Sequence, residues 1–248
     1  MLSFARRDFQ ARYAQTYLGY AWALLQTGLS LFILYLLFGR MLQVDTGELD
    51  FFSYALSGIL WWNFFNTLSQ QAASSLVQAQ AMMQKIYFPR VLLPLSKALV
   101  AGVDLGIGLL IFIIYGLAVG SISVGMMWSF LPTLFILLFS AWGLGLWVAA
   151  LSIRFRDLQQ ILPFLLQMLF FLSPIAYRSS LWEQVGSSWM AQLLSYNPVA
   201  GALELFRAGC FGSDLSSSWL YSALLAGLIF FSGMMFFRFT ERKMADLI

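Results

Sequence analysis

The chain has 248 residues, of which 60% are hydrophobic and 10% are charged, with a formal net charge of +3. A soluble domain carries about 25% charged residues, so this composition excludes an ordinary soluble protein and indicates a polytopic membrane protein. The single cysteine, Cys210, excludes a disulfide framework, and the absence of histidine excludes histidine-based catalysis and histidine-ligated metals.

Residues 1–18 are expected to form an amphipathic helix that lies in the membrane interface. At about 100° per residue, one side of this helix carries Leu2, Ala5, Phe9, Tyr13 and Thr16. Arg6 and Arg12 flank that apolar side, where their charges can reach the lipid headgroups, while Arg7 lies away from it. A flexible cytoplasmic tail is the alternative interpretation.

Six apolar segments follow, each close to the roughly 20 residues needed to cross the hydrocarbon core of a bilayer. They cover about 20–38, 51–69, 95–119, 127–151, 158–177 and 219–237. The sequence therefore predicts an all-α membrane protein with six transmembrane helices, in a single domain that covers 1–248.

Lysine and arginine are divided unequally between the two sides of this arrangement. Eleven of the fourteen lie on the side of the termini, and the other three are Arg40, Arg178 and Arg207. Because cytoplasmic loops carry the excess of positive charge, we expect both termini in the cytoplasm and the chain in the inner membrane. The cations are too few and too scattered to indicate binding of nucleic acid.

The middle of the second span is unusual for a lipid-facing surface, because Trp61, Trp62, Asn63 and Phe64 stand together there. Trp142 has a comparable position in the fourth span. Aromatic faces with amides nearby can bind sugar rings, so these five residues are candidates for a channel lining or a glycan contact. Tight packing, with each indole N–H bonded to a neighbouring helix, is the alternative.

A polar island, Gln84–Arg90, separates the second and third spans on the cytoplasmic side. It contains Lys85, Ile86, Tyr87, Phe88, Pro89 and Arg90. Pro89 prevents a continuous helix, and tyrosine, phenylalanine and arginine are residue types that bury large areas at docking surfaces. We therefore predict a docking surface for a cytoplasmic partner. A basic loop that follows the positive-inside rule is the alternative.

Asp104 is an ionisable residue placed well inside the third span. A charge at that depth costs at least about 2.5–3.5 kcal/mol, so the side chain should face a partner group or water. One interpretation is a proton site or a pore-lining group. The other is a packing residue at a helix seam, because Ala98, Gly102 and Gly106 form a row of small residues beside it.

The external segment 178–218 lies between the fifth and sixth spans. It contains two apolar stretches too short to span, 181–194 and 198–211, separated by Asn197-Pro198. We expect two short re-entrant or interfacial helices, because irregular backbone at that depth must be covered by protein or face water. They serve either as an external gate or vestibule or as a packed structural cap.

No Gly-Lys dipeptide occurs, because the three lysines follow Gln84, Ser96 and Arg242. A P-loop requires that dipeptide to hold phosphates. We therefore expect no ATPase activity in this chain, so that energy for active transport comes from a partner or from an ion gradient.

Several stretches together point to a family. They are Arg6–Trp22, Leu56–Phe65, Lys85–Arg90 with Leu93-Pro94, Arg156-Asp157, Ser173–Ile175 and Asn197-Pro198. In order and spacing, the chain resembles the permease of ABC-2 type polysaccharide exporters, the class that moves O-antigen, capsule or teichoic acid chains. One departure is Gln26-Thr27, where the family often has a proline soon after the glutamine.

The resemblance implies a homodimer that works with two copies of a separate ATPase subunit. That subunit would bind ATP and Mg²⁺, while this chain holds no cofactor. The island Lys85–Arg90 and the N-terminal helix with Arg6 and Arg7 would face the ATPases. The substrate would be a lipid-linked polysaccharide, with O-antigen as the first expectation. It would be threaded through a channel at the dimer centre in contact with Trp61 and Trp62.

Two alternatives stay open at this point. One is an ABC-2 exporter of a small lipid or drug, and the other is an ion-coupled carrier that uses Asp104. An integral glycosyltransferase is disfavoured, because the sequence shows no conspicuous acidic motif on a large external loop.

Overall fold

A computed structural model describes residues 21–44, 49–84, 88–179, 196–213, 215 and 217–243. Within these ranges the chain is helical and contains no strand, which confirms the all-α prediction for this part. The helices are α1 (Ala21–Leu34), a π-helical segment that continues it (Tyr35–Met41), α2 (Phe51–Gln78), α3 (Gln80–Met83), α4 (Leu92–Val119), α5 (Met126–Ser152), α6 (Leu158–Leu172), α7 (Pro198–Phe211) and α8 (Ser218–Lys243).

Three of the described helices are long and apolar enough to cross a membrane: α4, α5 and the part of α8 from Ser218 to Glu241. Two shorter apolar helices cover Leu25–Met41 and Leu158–Leu172. Helix α2 has 28 residues, which is long enough to span, but polar residues recur along it. The six-span count stays a prediction, and the predicted interface helix 1–18 lies outside the described residues.

Local signals set the helix ends. Asp50 caps α2, because its carboxylate accepts the Ser53 backbone N–H at 3.3 Å. The second span was predicted to end at 69, whereas α2 continues to Gln78. The fifth was predicted to reach 177, but α6 ends at Leu172, because Pro174 forces Ser173 into an extended conformation (φ −95°, ψ 141°).

A helix is present at Pro198–Phe211, where the second of the two external helices was predicted, while its external position stays a prediction. The first predicted helix lies among residues that the structure does not describe. Asn197 caps α7 by accepting the Val199 N–H at 2.9 Å, and Pro198 occupies the first helical position. The start of α8 is tied to α7, since Ser222 donates to the Asn197 carbonyl at 3.0 Å and Ser218 donates to the Glu204 carboxylate.

Helices α2 and α5 form the centre of the bundle. Helix α4 packs on α2 and α8 packs on α5, while α7 lies against α5 and α8 and reaches α2. Side chains such as Trp61 and Leu68 of α2, Leu137 of α5 and Phe206 of α7 are fully buried between them. Helices α1 and α6 lie at the periphery and leave much apolar surface open.

Helices α5 and α8 approach closely at two glycines. A Cβ on Gly143 would lie 2.6 Å from the Phe230 Cα, and one on Gly233 would lie 2.5 Å from the Gly143 carbonyl oxygen. The absence of side chains lets the two backbones touch, as small residues do between membrane helices.

A second apolar cluster forms one end of the bundle, where α2, α5 and α8 end and α4 begins. We call this the basal end, and its basal cluster consists of Leu76, Ala79, Leu93, Leu146, Ala149, Ala150 and Phe237. Phe88 and Val91 of the connection between α3 and α4 pack against the cluster. The island therefore meets the bundle at the basal end.

Candidate functional site

A stripe of uncharged polar side chains follows one face of α2 from its middle to the basal end. This polar stripe consists of Asn63, Asn66, Thr67, Gln70, Gln71, Ser74 and Gln78. At about 100° per residue, these positions fall within an arc of about 140°. Between Trp61 and Leu76, the first six members are the residues that keep accessible surface, and all the others are buried. One face of α2 is thus open and polar, and the remainder is packed.

Amide groups link neighbouring members of the stripe. The Gln70 side-chain N–H donates to the Asn66 side-chain oxygen at 2.7 Å. About two turns further along the helix, the Gln78 amide donates to the Ser74 hydroxyl at 3.0 Å. These i to i−4 bonds hold the side chains along the helix surface as two hydrogen-bonded pairs.

The inner end of the stripe borders a cavity of about 80 Å³ between α1, α2 and α4, which we call the polar cleft. Its polar lining comprises Gln26, Thr27, Asn63, Asn66, Thr67 and Asp104. This volume holds several water molecules. The structure therefore brings together Asp104 and Asn63, which the sequence had singled out in different spans.

The row of small residues beside Asp104 is open in this structure. Within the described part of the chain, a Cβ added to Gly102 or Gly106 meets nothing within 4 Å. None of the described helices therefore packs closely on these two glycines, and a helix seam at Asp104 stays a prediction. Asp104 is half-buried beside the cleft.

Most of the predicted glycan-contact residues are in the core. Trp61 has no exposed surface, with its ring 5.1 Å from that of Phe206, and Phe64 is 3% exposed. Trp62 is 6% exposed and packs on Phe170 at 5.4 Å. Direct contact of Trp61, Trp62 or Phe64 with a glycan is therefore wrong for this conformation, because α5, α6 and α7 cover this side of α2.

Trp142 is half-buried and packs on Phe230 of α8, with 5.4 Å between ring centroids. Within the described residues, the indole N–H groups of Trp61 and Trp142 have no hydrogen-bond partner. These tryptophans are thus packed, as the alternative interpretation expected, but in the part of the chain that the structure describes the hydrogen bond that it expected is absent from these two indoles. Of the five predicted contact residues, Asn63 is the one on the polar stripe.

Four residues of the island, Gln84, Phe88, Pro89 and Arg90, lie within the described part. The Arg90 backbone N–H donates to Glu241 Oε1 at 2.9 Å, and its guanidinium donates to the Glu241 carbonyl at 3.4 Å. Phe88 packs on the basal cluster, and Pro89 is exposed. These contacts fix the turn to the end of α8. Lys85, Ile86, Tyr87, Arg6 and Arg7 lie outside the described residues, so the docking role stays a prediction.

The structure contains a buried arginine that was not predicted from the sequence. Arg207, counted above as an external cation, is 4% exposed and wholly enclosed. Its guanidinium donates to the carbonyls of Pro174 and Ile175 at 2.6 and 2.7 Å and to the Tyr54 and Ser57 hydroxyls at 2.7 and 3.2 Å. It also donates to the Tyr54 backbone carbonyl at 3.2 Å, so five acceptors surround one cation, which offsets much of its desolvation.

Burial lowers the pKa of Arg207, while the nearby Tyr54 and Glu204 oppose that shift. An arginine titrates so far above neutrality that it keeps its charge here. Arg207 thus joins α7 to the start of α2 and to the extended segment after α6. The one signal in the sequence was a lone cation within an otherwise apolar helical stretch.

Known proteins match the chain along most of its length. The family model described as ABC-2 type transporter matches residues 1–211. The chain is 27% identical to an O-antigen export system permease protein of Myxococcus xanthus, over 84% of this chain and 78% of that protein. It is 23% identical to a protein of the same description from Klebsiella pneumoniae, over 98% and 92%.

A third relative is the polysialic acid transport protein KpsM of Escherichia coli, with 23% identity over 96% of this chain and 92% of that protein. These relatives cover the polar stripe, the island and α7 together. A match of the family model to residues 1–211 takes in the bundle from its N-terminus to the end of α7. The chain therefore belongs to the ABC-2 type transporter family.

Proposed function

We propose that the chain is the transmembrane subunit of an ATP-driven exporter that moves a lipid-linked polysaccharide, with O-antigen as the expected cargo, across the inner membrane. The polar stripe carries this proposal. A glycan presents hydroxyl groups along its whole length, and amide and hydroxyl side chains can exchange hydrogen bonds with them. The stripe consists of uncharged groups. It therefore does not bind a neutral glycan strongly while the glycan moves along it. The descriptions of the relatives support the same cargo.

The stripe also supports a homodimer. Uncharged polar groups that faced hydrocarbon would be costly, so the open face of α2 requires a cover or water. Helix α1 borders the inner end of the stripe and α6 borders the basal part, and both expose apolar surface, as at Leu29 (56%) and Phe164 (58%). A second copy placed against α1 and α6 would enclose the two stripes as a central channel.

Energy would come from two copies of a separate ATPase subunit, which binds ATP and Mg²⁺. The lack of a Gly-Lys dipeptide in this sequence supports this division of roles. Docking would occur at the island, Lys85–Arg90, together with Arg6 and Arg7 of the interface helix 1–18. The distribution of lysine and arginine supports six spans with both termini cytoplasmic, in one domain that covers 1–248.

The function is tested in a strain that expresses this chain and displays a surface glycan. Surface glycan should disappear when the chain is deleted and return when it is expressed with its ATPase partner. It should not return with a partner whose P-loop lysine is replaced by alanine. Normal surface glycan without the chain, combined with altered sensitivity to amphiphilic drugs, would instead support a small-molecule exporter.

A further inference from the structure

A second cavity, of about 240 Å³, lies on the polar stripe nearer the basal end, between α2 and α6. We call it the glutamine recess, and its lining includes Gln70, Gln71 and Ser74 of α2 with Gln159, Leu162 and Pro163 of α6. Its volume corresponds to roughly eight water molecules at about 30 Å³ each, which is the scale of a small organic ring with its substituents.

One group in the recess lacks a partner. The side-chain nitrogen of Gln159 is buried, and nothing in the described part of the chain accepts a hydrogen bond from it. Buried amide donors are nearly always paired, because an unpaired donor forfeits its hydration without compensation. An acceptor bound in the recess would complete this group once the Gln159 side chain turned toward it.

The chemistry of the lining selects the kind of acceptor. Three glutamines and one serine offer donors and acceptors, and no charged residue is among the described lining residues. Leu162 and Pro163 add an apolar wall. An uncharged ligand with several hydroxyl groups and one apolar C–H face matches this combination, whereas a phosphate or a carboxylate would lack a counter-charge.

The recess also continues into the rest of the stripe. Gln70 lines the recess and donates to Asn66, which lines the polar cleft. A ligand bound at Gln70 and Gln71 therefore lies one helical turn from the next set of amides. The recess is therefore part of a polar path along α2 and not an isolated pocket.

We propose that the glutamine recess binds a neutral sugar ring, and that it is the first subsite a glycan meets on entering from the basal end. This inference rests on the proposed function for the identity of the cargo. Gln159 donates through its side-chain nitrogen to a ring hydroxyl, Gln70 and Gln71 exchange hydrogen bonds with neighbouring hydroxyls, and Leu162 and Pro163 pack on the C–H face.

Cysteine labelling of the full chain in lipid nanodiscs tests the subsite. The native Cys210 is buried, so an anionic methanethiosulfonate reagent should modify a cysteine placed at Ser74 in the recess and one placed at Gln160, an exposed control beside Gln159. A neutral oligosaccharide, maltoheptaose or chitotetraose, present at about twice its dissociation constant, should slow labelling of Ser74→Cys by about threefold, because about two-thirds of the recesses are then occupied, and it should leave Gln160→Cys unchanged. Adding Gln159→Leu should abolish the protection, whereas Gln160→Leu should preserve it.

Equal labelling rates with and without both oligosaccharides would overturn the subsite, as would protection by an oligosialic acid alone. Because this assay needs neither the ATPase nor transport, its result is separate from that of the surface-glycan experiment. Protection without glycan export would support the recess as a sugar subsite and reject the proposed function. Export without protection would reject the recess alone.

Discussion

The guanidinium carbon of Arg207 lies 3.6 Å from the centroid of the Tyr54 ring, and the same guanidinium donates to the Tyr54 hydroxyl at 2.7 Å. The tyrosine is thus both a cation–π partner and a hydrogen-bond acceptor. Its hydroxyl also donates to the Tyr177 carbonyl at 2.9 Å. This pair joins three separate parts of the chain at the end of the bundle opposite the basal cluster.

Arg207→Gln should lower the free energy of unfolding by about 3 kcal/mol. The shorter, neutral side chain cannot reach the carbonyls of both Pro174 and Ile175, and buried acceptors left unpaired are costly. Thermal unfolding of the purified chain in detergent measures the change. Arg178→Gln is the matched control, because Arg178 is also external but exposed, and its effect should be small.

Tyr54→Phe should lower the free energy of unfolding by less than Arg207→Gln does, because it keeps the aromatic ring beside the guanidinium and removes the hydroxyl alone. In a double-mutant cycle with Arg207→Gln, the two losses should fall short of additive, since both remove the same hydrogen bond. Strictly additive losses would show that the two side chains do not act together.

Gly58→Ala should destabilise the chain by about 1–3 kcal/mol. A Cβ at this position would lie 2.4 Å from the Ile175 carbonyl oxygen and 2.9 Å from an Arg207 nitrogen, so the segment after α6 would have to move. Gly106→Ala is the control, because its Cβ meets nothing within 4 Å and alanine favours a helix. Equal melting temperatures for the two variants would contradict the predicted close approach.

Glu241→Ala should reduce the glycan exported per ATP hydrolysed by about fivefold, the scale of a modest coupling free energy. The substitution removes the acceptor that fixes the Arg90 backbone, so movement at the island would no longer be passed to α8. The reconstituted complex with its ATPase provides the measurement. Glu241→Gln keeps an oxygen acceptor and should retain most of the coupling. Undiminished coupling in Glu241→Ala would remove this role from the contact.

Asp104→Asn should leave ATP-driven export within about twofold of wild type, because the amide keeps the hydrogen-bonding capacity of the polar cleft and loses only the charge. Asp104→Leu should impair export more, since it places an apolar group beside Asn63. Surface glycan in growing cells is the readout. Loss of transport in Asp104→Asn, with dependence on the proton gradient instead of ATP, would favour the ion-coupled carrier.

Local chemistry explains which parts of the fold could be read from the sequence. The ends of α4, α5 and α7 were predicted within three residues, because apolar runs there stop at glycine, proline or asparagine or, after α5, at Arg154. The helical period of its polar residues could have predicted the polar stripe. The predicted contact was instead based on the adjacent tryptophans, which lie on the packed side of α2. Burial of those tryptophans depends on where α5 and α7 pack, which no local pattern specifies.

The contacts of Arg207 and Arg90 were beyond sequence reasoning for a different reason. Arg207 meets Tyr54 across 153 positions of chain, and Arg90 meets Glu241 across 151. In the sequence, Arg207 looked like an ordinary external cation, and Arg90 looked like part of an open docking surface. Their partners became visible only once α2, α7 and α8 were placed beside one another.

The close contact between Gly143 and Gly233 has a mechanical consequence for α8. At about 1.5 Å per residue, Glu241 lies about 12 Å to one side of Gly233 and Ser222 about 16 Å to the other. A straight helix that rocks on this smooth contact acts as a lever with unequal arms. A displacement of 1 Å at Glu241 would move the Ser222 end by about 1.4 Å in the opposite direction. A small displacement of the turn at Arg90 would therefore produce a larger displacement, in the opposite direction, where α8 meets α7. Helix α8 is not among the described helices that line the polar stripe.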